Sequence, residues 1–247
     1  MSFEDLSIAD RLAQIRPTIP ESVRLVAVSK TKPASAIREA YQAGIRDFGE
    51  SRIQEAIAKQ EELEDLEDIT WHFIGHLQTN KTKVAIERMQ WIHSVDRLKL
   101  AREIQRLVEK GSPCPNLCLQ VKFRPDANKS GWNWSELQQE LPELDRLSSL
   151  KLRGIMTILP FGLPPQESRE IFVEARQGCD RLREQTWKHL KFPELSMGMS
   201  DDYLLAIEAG STMVRLGRIL FGDRPKSANS PDDPLAKDPK NDRINNL

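Results

Sequence analysis

Val23-Arg24-Leu25-Val26-Ala27-Val28-Ser29-Lys30 is the stretch that decides the fold. Its nearly unbroken, β-branched apolar text reads as a strand buried on both faces, because a half-exposed strand would alternate polar with apolar residues. Lys30 closes the run, so a single amine stands where a strand ends and a loop begins. Burying a charged lysine is costly. The cost falls if the amine is neutral or covalently used, and a desolvated lysine with a depressed pKa is the form that builds an imine with an aldehyde. The plain alternative is a strand-end lysine that reaches solvent.

Outward from this strand, short apolar runs alternate with longer helical patterns, the signature of strand-helix-strand units and a parallel sheet. Eight strands are predicted at 23–29, 45–48, 70–75, 91–95, 117–122, 152–158, 194–198 and 212–216, with helices near 33–43, 51–65, 79–89, 96–110, 134–146, 166–189 and 201–209. Ser2 to Arg16 reads as a further N-terminal helix, able to cover the flank left bare because no long helix follows the last strand. Eight such units in this length predict one (β/α)8 TIM barrel over residues 1–222, with an open doubly wound sheet as the alternative. Residues 223–247, rich in proline, asparagine, serine and charges of both signs, bury too little apolar surface to offset ordering entropy and read as a flexible polar tail.

Composition narrows the partners. The 247 residues carry 36 basic and 37 acidic side chains, and no basic block alternates with aromatics, so a nucleic-acid surface is not expected. Small molecules are the expected ligands. Cys114, Cys118 and Cys179 cannot all pair and lack metal-ligand spacing, which suits small buried thiols in a reducing compartment. The acidic N-terminus has no signal-peptide core and no stretch has the length of a membrane span, so a cytoplasmic protein is the expectation, and with no obvious dimer domain a monomer is the default.

In a barrel the C-terminal ends of the strands share one mouth. The polar groups of this chain gather at those ends: Lys30 and Lys32, Gly49-Glu50-Ser51, His72 to Asn80, Lys122, Met156-Thr157, Ser196 to Ser200, and Arg215-Leu216-Gly217. Ser196-Met197-Gly198-Met199-Ser200-Asp201-Asp202 passes from strand to helix with a glycine and two hydroxyls, and backbone N–H groups exposed there bind anions. An ordinary helix cap has the same appearance. Gly217 adds a small residue at the next strand end, and the last two loops are the usual phosphate position in barrels. Asp201 and Asp202 would repel a dianion and are expected to face out. Arg215 and Met213 share one strand face by alternation. An arginine inside a barrel needs either a buried carboxylate or an acceptor such as a heterocyclic nitrogen, which an always-charged donor holds unprotonated. His76, His93 and His189 read as core or surface histidines, His72 as undecided, Lys122 as a solvated strand end, and Glu61 to Asp68 as an acidic helix exit.

These residues resemble the pyridoxal phosphate homeostasis proteins, including their cyanobacterial PipY-type branch, and through them the barrel domain of bacterial alanine racemase. The resemblance runs over residues 1–223 and rests on Ala27-Val28-Ser29-Lys30-Thr31-Lys32-Pro33, Phe48-Gly49-Glu50, Trp71-His72-Phe73-Ile74-Gly75 with Leu77-Gln78-Thr79-Asn80-Lys81, Lys129-Ser130-Gly131, Gly154-Ile155-Met156, the 196–202 segment and Gly210 to Gly217. It implies that Lys30 carries pyridoxal 5′-phosphate (PLP) as an internal aldimine and that Arg215 meets the pyridine nitrogen. It further implies that Ser200, Gly217 and the backbone at Gly198 and Met199 hold the phosphate, with Ser196 in the same turn, and that Asn80 and Met156 line the cofactor. Ser51 stands where the family usually has asparagine. An arginine on the ring nitrogen weakens the electron sink and disfavours transamination, while racemisation needs a base on each face. In alanine racemase-like enzymes the second base is a tyrosine of another domain. Tyr41 and Tyr203 both fall on helices here, so a carrier without catalytic turnover is expected, in transient contact with PLP-dependent apo-enzymes. A weak racemase is the alternative. Lys32, Lys81 and Lys129 are candidate secondary amines on the exit path, with exposed, solvated lysines the preferred reading.

Overall fold

In the computed structural model, which describes residues 6–223, β1 (Arg24–Val28) pairs in parallel with β2 (Asp47–Glu50) on one side and β9 (Met213–Leu216) on the other. From β2 the ladder continues through β3 (Thr70–Phe73), β4 (Trp91–Val95) and β5 (Asn116–Lys122). From β9 it returns through β8 (Glu194–Ser196) and β7 (Lys151–Met156) to β5. The β5 pairings close the ring, so eight parallel strands form the expected barrel and the open sheet is excluded.

Helices cover the outside because each carries one apolar stripe at helical spacing. α2 (Ala34–Gln42) buries Ala34, Ile37 and Ala40, and α5 (Leu98–Glu109) buries Leu100, Ala101, Ile104 and Leu107. α3 (Ile53–Glu62), α4 (Thr82–Arg88), α6 (Trp134–Leu144), α7 (Pro165–Glu184) and α8 (Tyr203–Glu208) continue the shell. After β9 comes only a short helix, α9 (Arg218–Phe221). The N-terminal α1 (Ile8–Ile15), capped by Ser7, packs against α2 and α9 and buries Leu12 and Ile15, filling the flank that α9 is too short to cover.

Several boundaries differ from the sequence reading. β2 begins at Asp47 rather than Ile45 and includes Gly49 and Glu50, because those two pair with Val28, His72 and Phe73; long-range pairing overrides a local turn signal. Residues 79–81 form a separate 3-10 turn before α4. α7 stops at Glu184, so His189 lies in the following loop. A two-residue strand, β6 (Trp132–Asn133), lies against the end of β5 and was not anticipated, being too short to show a period. The expected tail at 223–247 lies outside the described residues beyond Asp223.

The main apolar core lies between strands and helices, and a second, smaller apolar cluster inside the barrel joins Trp91, Cys118, Met156 and Met213, with Ile158 against it. Barrels usually fill this space with branched aliphatic layers. Here Asp47, His72, His93, Ser196 and Arg215 share it through hydrogen bonds.

Candidate functional site

Lys30 is half-buried, two residues past the end of β1. The backbone on both sides of it is clamped. Lys59 of α3, itself buried, donates to the Ser29 carbonyl (2.9 Å), to Glu50 (2.8 Å) and to Glu55 (2.7 Å). The Ser29 hydroxyl donates to the same Glu50 oxygen (2.6 Å), and the Thr31 N–H donates to Glu55. Thr31 is the only described non-glycine residue with positive φ, at 65°. A β-branched side chain resists that conformation, so the clamp holds about 1–3 kcal/mol of strain beside the Lys30 amine. Burial pushes the Glu50 carboxyl up despite the Lys59 ammonium beside it, and its Oε2 has no partner. Burial also acts on Glu55, but Lys59 and the Thr31 N–H bring its carboxyl below the usual range. Lys59 escapes a sequence reading because, at i+4 from Glu55, it resembles a solvated helix pair.

Arg215 sits on the inner face of β9, in register with Val26 of β1. It is 3% exposed and donates to the Ser196 hydroxyl (2.7 Å) and the Thr157 carbonyl (2.9 Å). No carboxylate among the described residues pairs with it directly, so the structural ion pair is not its role. Burial brings its pKa down to about 10, leaving it charged at neutral pH. Met156 is fully buried on the inner face of β7, and Ser196 lies on β8 with its hydroxyl engaged by Arg215 and His93.

Gly198 has φ of 93°, and a Cβ there would stand 2.6 Å from the Cβ of Ala206, so only glycine fits the turn. Ser200 accepts from the Ile219 N–H at 3.3 Å, which brings the turns after β8 and β9 together as the anion reading requires. Met199 is partly exposed, and its N–H donates to Asp202 (2.6 Å). Asp202 therefore does not face out, contrary to expectation: it folds back to cap this turn, and burial raises its pKa. Asp201 does face out, paired with Arg218. A cavity of about 500 Å³ over the end of β1 is lined by Lys30, Thr31, Lys32, Gly217 and Phe221. It adjoins one of about 700 Å³ lined by Arg11, Ser200, Arg218 and Ile219. Arg11 arrives from α1, a contribution that the sequence did not disclose because it joins residues some two hundred positions apart.

Asn80 is exposed on the 3-10 turn, and Ser51 lines a separate groove with His76 and Lys81. Lys32 donates to the Asp223 carbonyl (2.9 Å), and burial lowers its pKa. Lys129 is bound by the Leu159 carbonyl and by Asp126 (3.0 Å), so it is not the solvated lysine expected. Lys122 reaches the Asp126 carbonyl at 3.4 Å, half-buried rather than solvated. His76 bonds Asp96 and Ser130 in the mouth. The acidic helix exit is an ion-pair surface, with Asp65 on Arg38 and Asp68 on Arg46.

An amine, an obligate guanidinium donor and two abutting N–H-rich turns fit a ligand with an aldehyde, a ring nitrogen and a phosphate. A barrel with this mouth belongs to the class built on the alanine racemase N-terminal domain, whose family model matches residues 6–225. A pyridoxal phosphate homeostasis protein of Synechocystis sp. is 51% identical over 212 residues, 86% of this chain and 96% of that protein. One of Pseudomonas aeruginosa is 43% identical over 233 residues, covering 90% and 98%. The chain belongs to the pyridoxal phosphate homeostasis protein family. The solved structure of PipY from Synechococcus elongatus PCC7942 with PLP bound superposes with a TM-score of 0.83 at 50% identity, covering 87% of this chain and 100% of that one. An alanine racemase of Clostridium difficile 630 superposes at 0.73 with 16% identity, covering 92% of this chain and 59% of that one, a likeness of fold.

Proposed function

We propose that this protein binds PLP and takes part in intracellular vitamin B6 homeostasis, and indirectly in that of amino and keto acids, by holding the cofactor without turning over a substrate. The observation that carries the reading is the convergence of Lys30, Gly217 and the Ser200–Ile219 contact on adjoining cavities at one barrel mouth. Lys30 is the covalent anchor, and its clamped backbone fixes where the amine emerges. Ser200, Gly217 and the backbone at Gly198 and Met199 hold the phosphate, with Ser196 behind Arg215. Met156 and Asn80 line the cofactor. Arg215 meets the pyridine nitrogen and, able only to donate, keeps it unprotonated. When bound, PLP supplies a conjugated ring that withdraws electrons strongly only while that nitrogen is protonated.

The placement of the tyrosines supports a carrier over a racemase. Tyr41 is bonded to Asp68 on the outer surface, and the buried Tyr203 hydroxyl meets Thr18 at 2.9 Å, so neither is available as a second base. The domain extends over residues 1–222, followed by a polar tail. The protein acts as a cytoplasmic monomer that passes its cofactor to apo-enzymes through transient contact. Among the described residues no helix is long and apolar enough to cross a membrane.

Loading with PLP, borohydride reduction and peptide mass spectrometry test the anchor, with the pyridoxyl mass expected on Lys30; an adduct spread over other lysines or none at all rejects it. Incubating loaded protein with single-enantiomer alanine tests the carrier reading, and sustained racemisation or deamination overturns it. Light scattering on the loaded protein checks the monomer.

A further inference from the structure

Five polar side chains run through the barrel from its N-terminal end to the mouth. Asp47, at the start of β2, accepts from His72 Nε2 at 2.9 Å; His72 Nδ1 meets His93 Nε2 at 2.9 Å; His93 Nδ1 meets the Ser196 hydroxyl at 2.9 Å; and Ser196 accepts from Arg215 Nη1 at 2.7 Å. His72, His93 and Ser196 are all 0% exposed. The outer end is not sealed: Asp47 lies 3.6 Å from Arg24 and borders a groove of about 650 Å³ that Arg16 and Arg46 also line. The wall beside the chain is Trp91, stacked on His72 at 5.8 Å with planes 6° apart.

The chemistry of the two ends sets one direction for every proton. A carboxylate only accepts, so His72 carries its proton on Nε2 and its Nδ1 must accept from His93 Nε2–H. His93 Nδ1 then accepts from the Ser196 O–H. A guanidinium only donates, so Ser196 Oγ accepts from Arg215, and the assignment begun at Asp47 meets it without conflict. Each histidine is neutral with its proton on Nε2. Burial lowers both pKa values, that of His72 against the pull of Asp47 and that of His93 further through His72, Arg215 and Arg24. The charged groups around the pair are thus Asp47 and Arg24 below and Arg215 above.

We propose that Asp47, His72, His93 and Ser196 form a one-way hydrogen-bond relay that positions Arg215 and balances its charge from the far end of the barrel, setting the donor that meets the PLP ring nitrogen. Chains of bonds aligned in one sense polarise one another, so the carboxylate at one end strengthens Ser196 as the acceptor that holds Arg215 at the other. Ser196 and Thr157 occupy two of the five N–H donors of Arg215 and leave others for the ligand. The relay members are positioning residues, acting on the ring only through Arg215. This inference rests on the reading that Arg215 meets the pyridine nitrogen.

Two measurements test it. In the unliganded protein, nitrogen-15 NMR of the histidine side chains should give the neutral Nε2–H form for both His72 and His93; an Nδ1–H form in either, or an imidazolium at neutral pH, overturns the relay. In protein loaded with PLP labelled at the pyridine nitrogen, Asp47→Ala, His93→Phe and Ser196→Ala should each shift that nitrogen's resonance and weaken PLP binding roughly tenfold, the effect of about 1.4 kcal/mol, whereas Ser196→Thr, which keeps the hydroxyl, restores both. Arg215→Gln separates the two ideas. If it leaves the ring resonance unmoved, the contact between Arg215 and the ring is wrong. If it moves the resonance while the folded relay variants do not, the relay alone is wrong.

Discussion

Lys59 holds the geometry around Lys30, because one ammonium satisfies Glu50, Glu55 and the Ser29 carbonyl together. Lys59→Met removes the partner of a buried carboxylate and should cost about 3–5 kcal/mol in urea denaturation at neutral pH. The loss carries a sign with pH. The folded pKa of Glu50 already lies above the ordinary value, so the folded state binds its proton more readily than the unfolded chain. Stability therefore falls as pH rises through the raised value, and the Lys59→Met deficit should shrink on acidification as Glu50 neutralises. An equal deficit at every pH would contradict this account of Glu50. Lys30→Ala should leave the urea midpoint nearly unchanged, since the side chain is only half-buried, while abolishing the absorbance band of bound PLP if the proposed linkage holds. The place of Lys30 at the barrel mouth was legible in the sequence because a strand-end position in a barrel fixes where a side chain emerges. Lys59 was not, since its partners come from three separate elements.

The strands impose a different demand, that the inner faces of β3 and β4 keep two imidazoles neutral. Both folded pKa values lie below the unfolded value of 6.5, so on acidification the unfolded chain takes up protons that the folded one refuses. Stability should be unaffected by these groups above about pH 6.5 and fall below it, each histidine contributing up to about 1.4 kcal/mol per pH unit until its depressed pKa is reached. Denaturation midpoints between neutral pH and the acid range check this; no added slope below the unfolded value would count against neutral buried histidines. At the turn after β8, Gly198→Ala meets both a positive φ and the methyl of Ala206, and should cost about 1–3 kcal/mol while loosening PLP. Alternation along β9 placed Met213 and Arg215 together correctly, since a period of two survives in any sheet. It could not place His93, whose acceptor and donor lie on β3 and β8.

At the scale of the molecule, α1 repairs the gap beside the short α9 and carries Arg11 to the cavity that holds Ser200. Leu12→Ala should destabilise the protein by about 2–5 kcal/mol by leaving a cavity between α1 and the barrel. Arg11→Met should weaken PLP about tenfold, the effect of about 1.4 kcal/mol, while leaving the binding of pyridoxal, which lacks the phosphate, unchanged. Equal loss for both ligands would place Arg11 in packing rather than phosphate recognition. Calorimetric titration with the two aldehydes distinguishes them.

What the amino-acid sequence determined by itself is whatever repeats locally: the alternation of strand and helix, the apolar stripe of each helix, and the rule that in a barrel eight strand ends converge. Those periods specify the closed barrel and bring Lys30, the 196–202 turn and Gly217 to one mouth. Only the tertiary structure decided the register that draws Gly49 and Glu50 into β2, the inward turn of Asp202, the clamp behind Lys30, the reach of Arg11 and the polar line from Asp47 to Arg215. Each of these depends on which distant group satisfies a buried donor or acceptor, and that choice is made by packing in three dimensions, leaving no period in the chain to read.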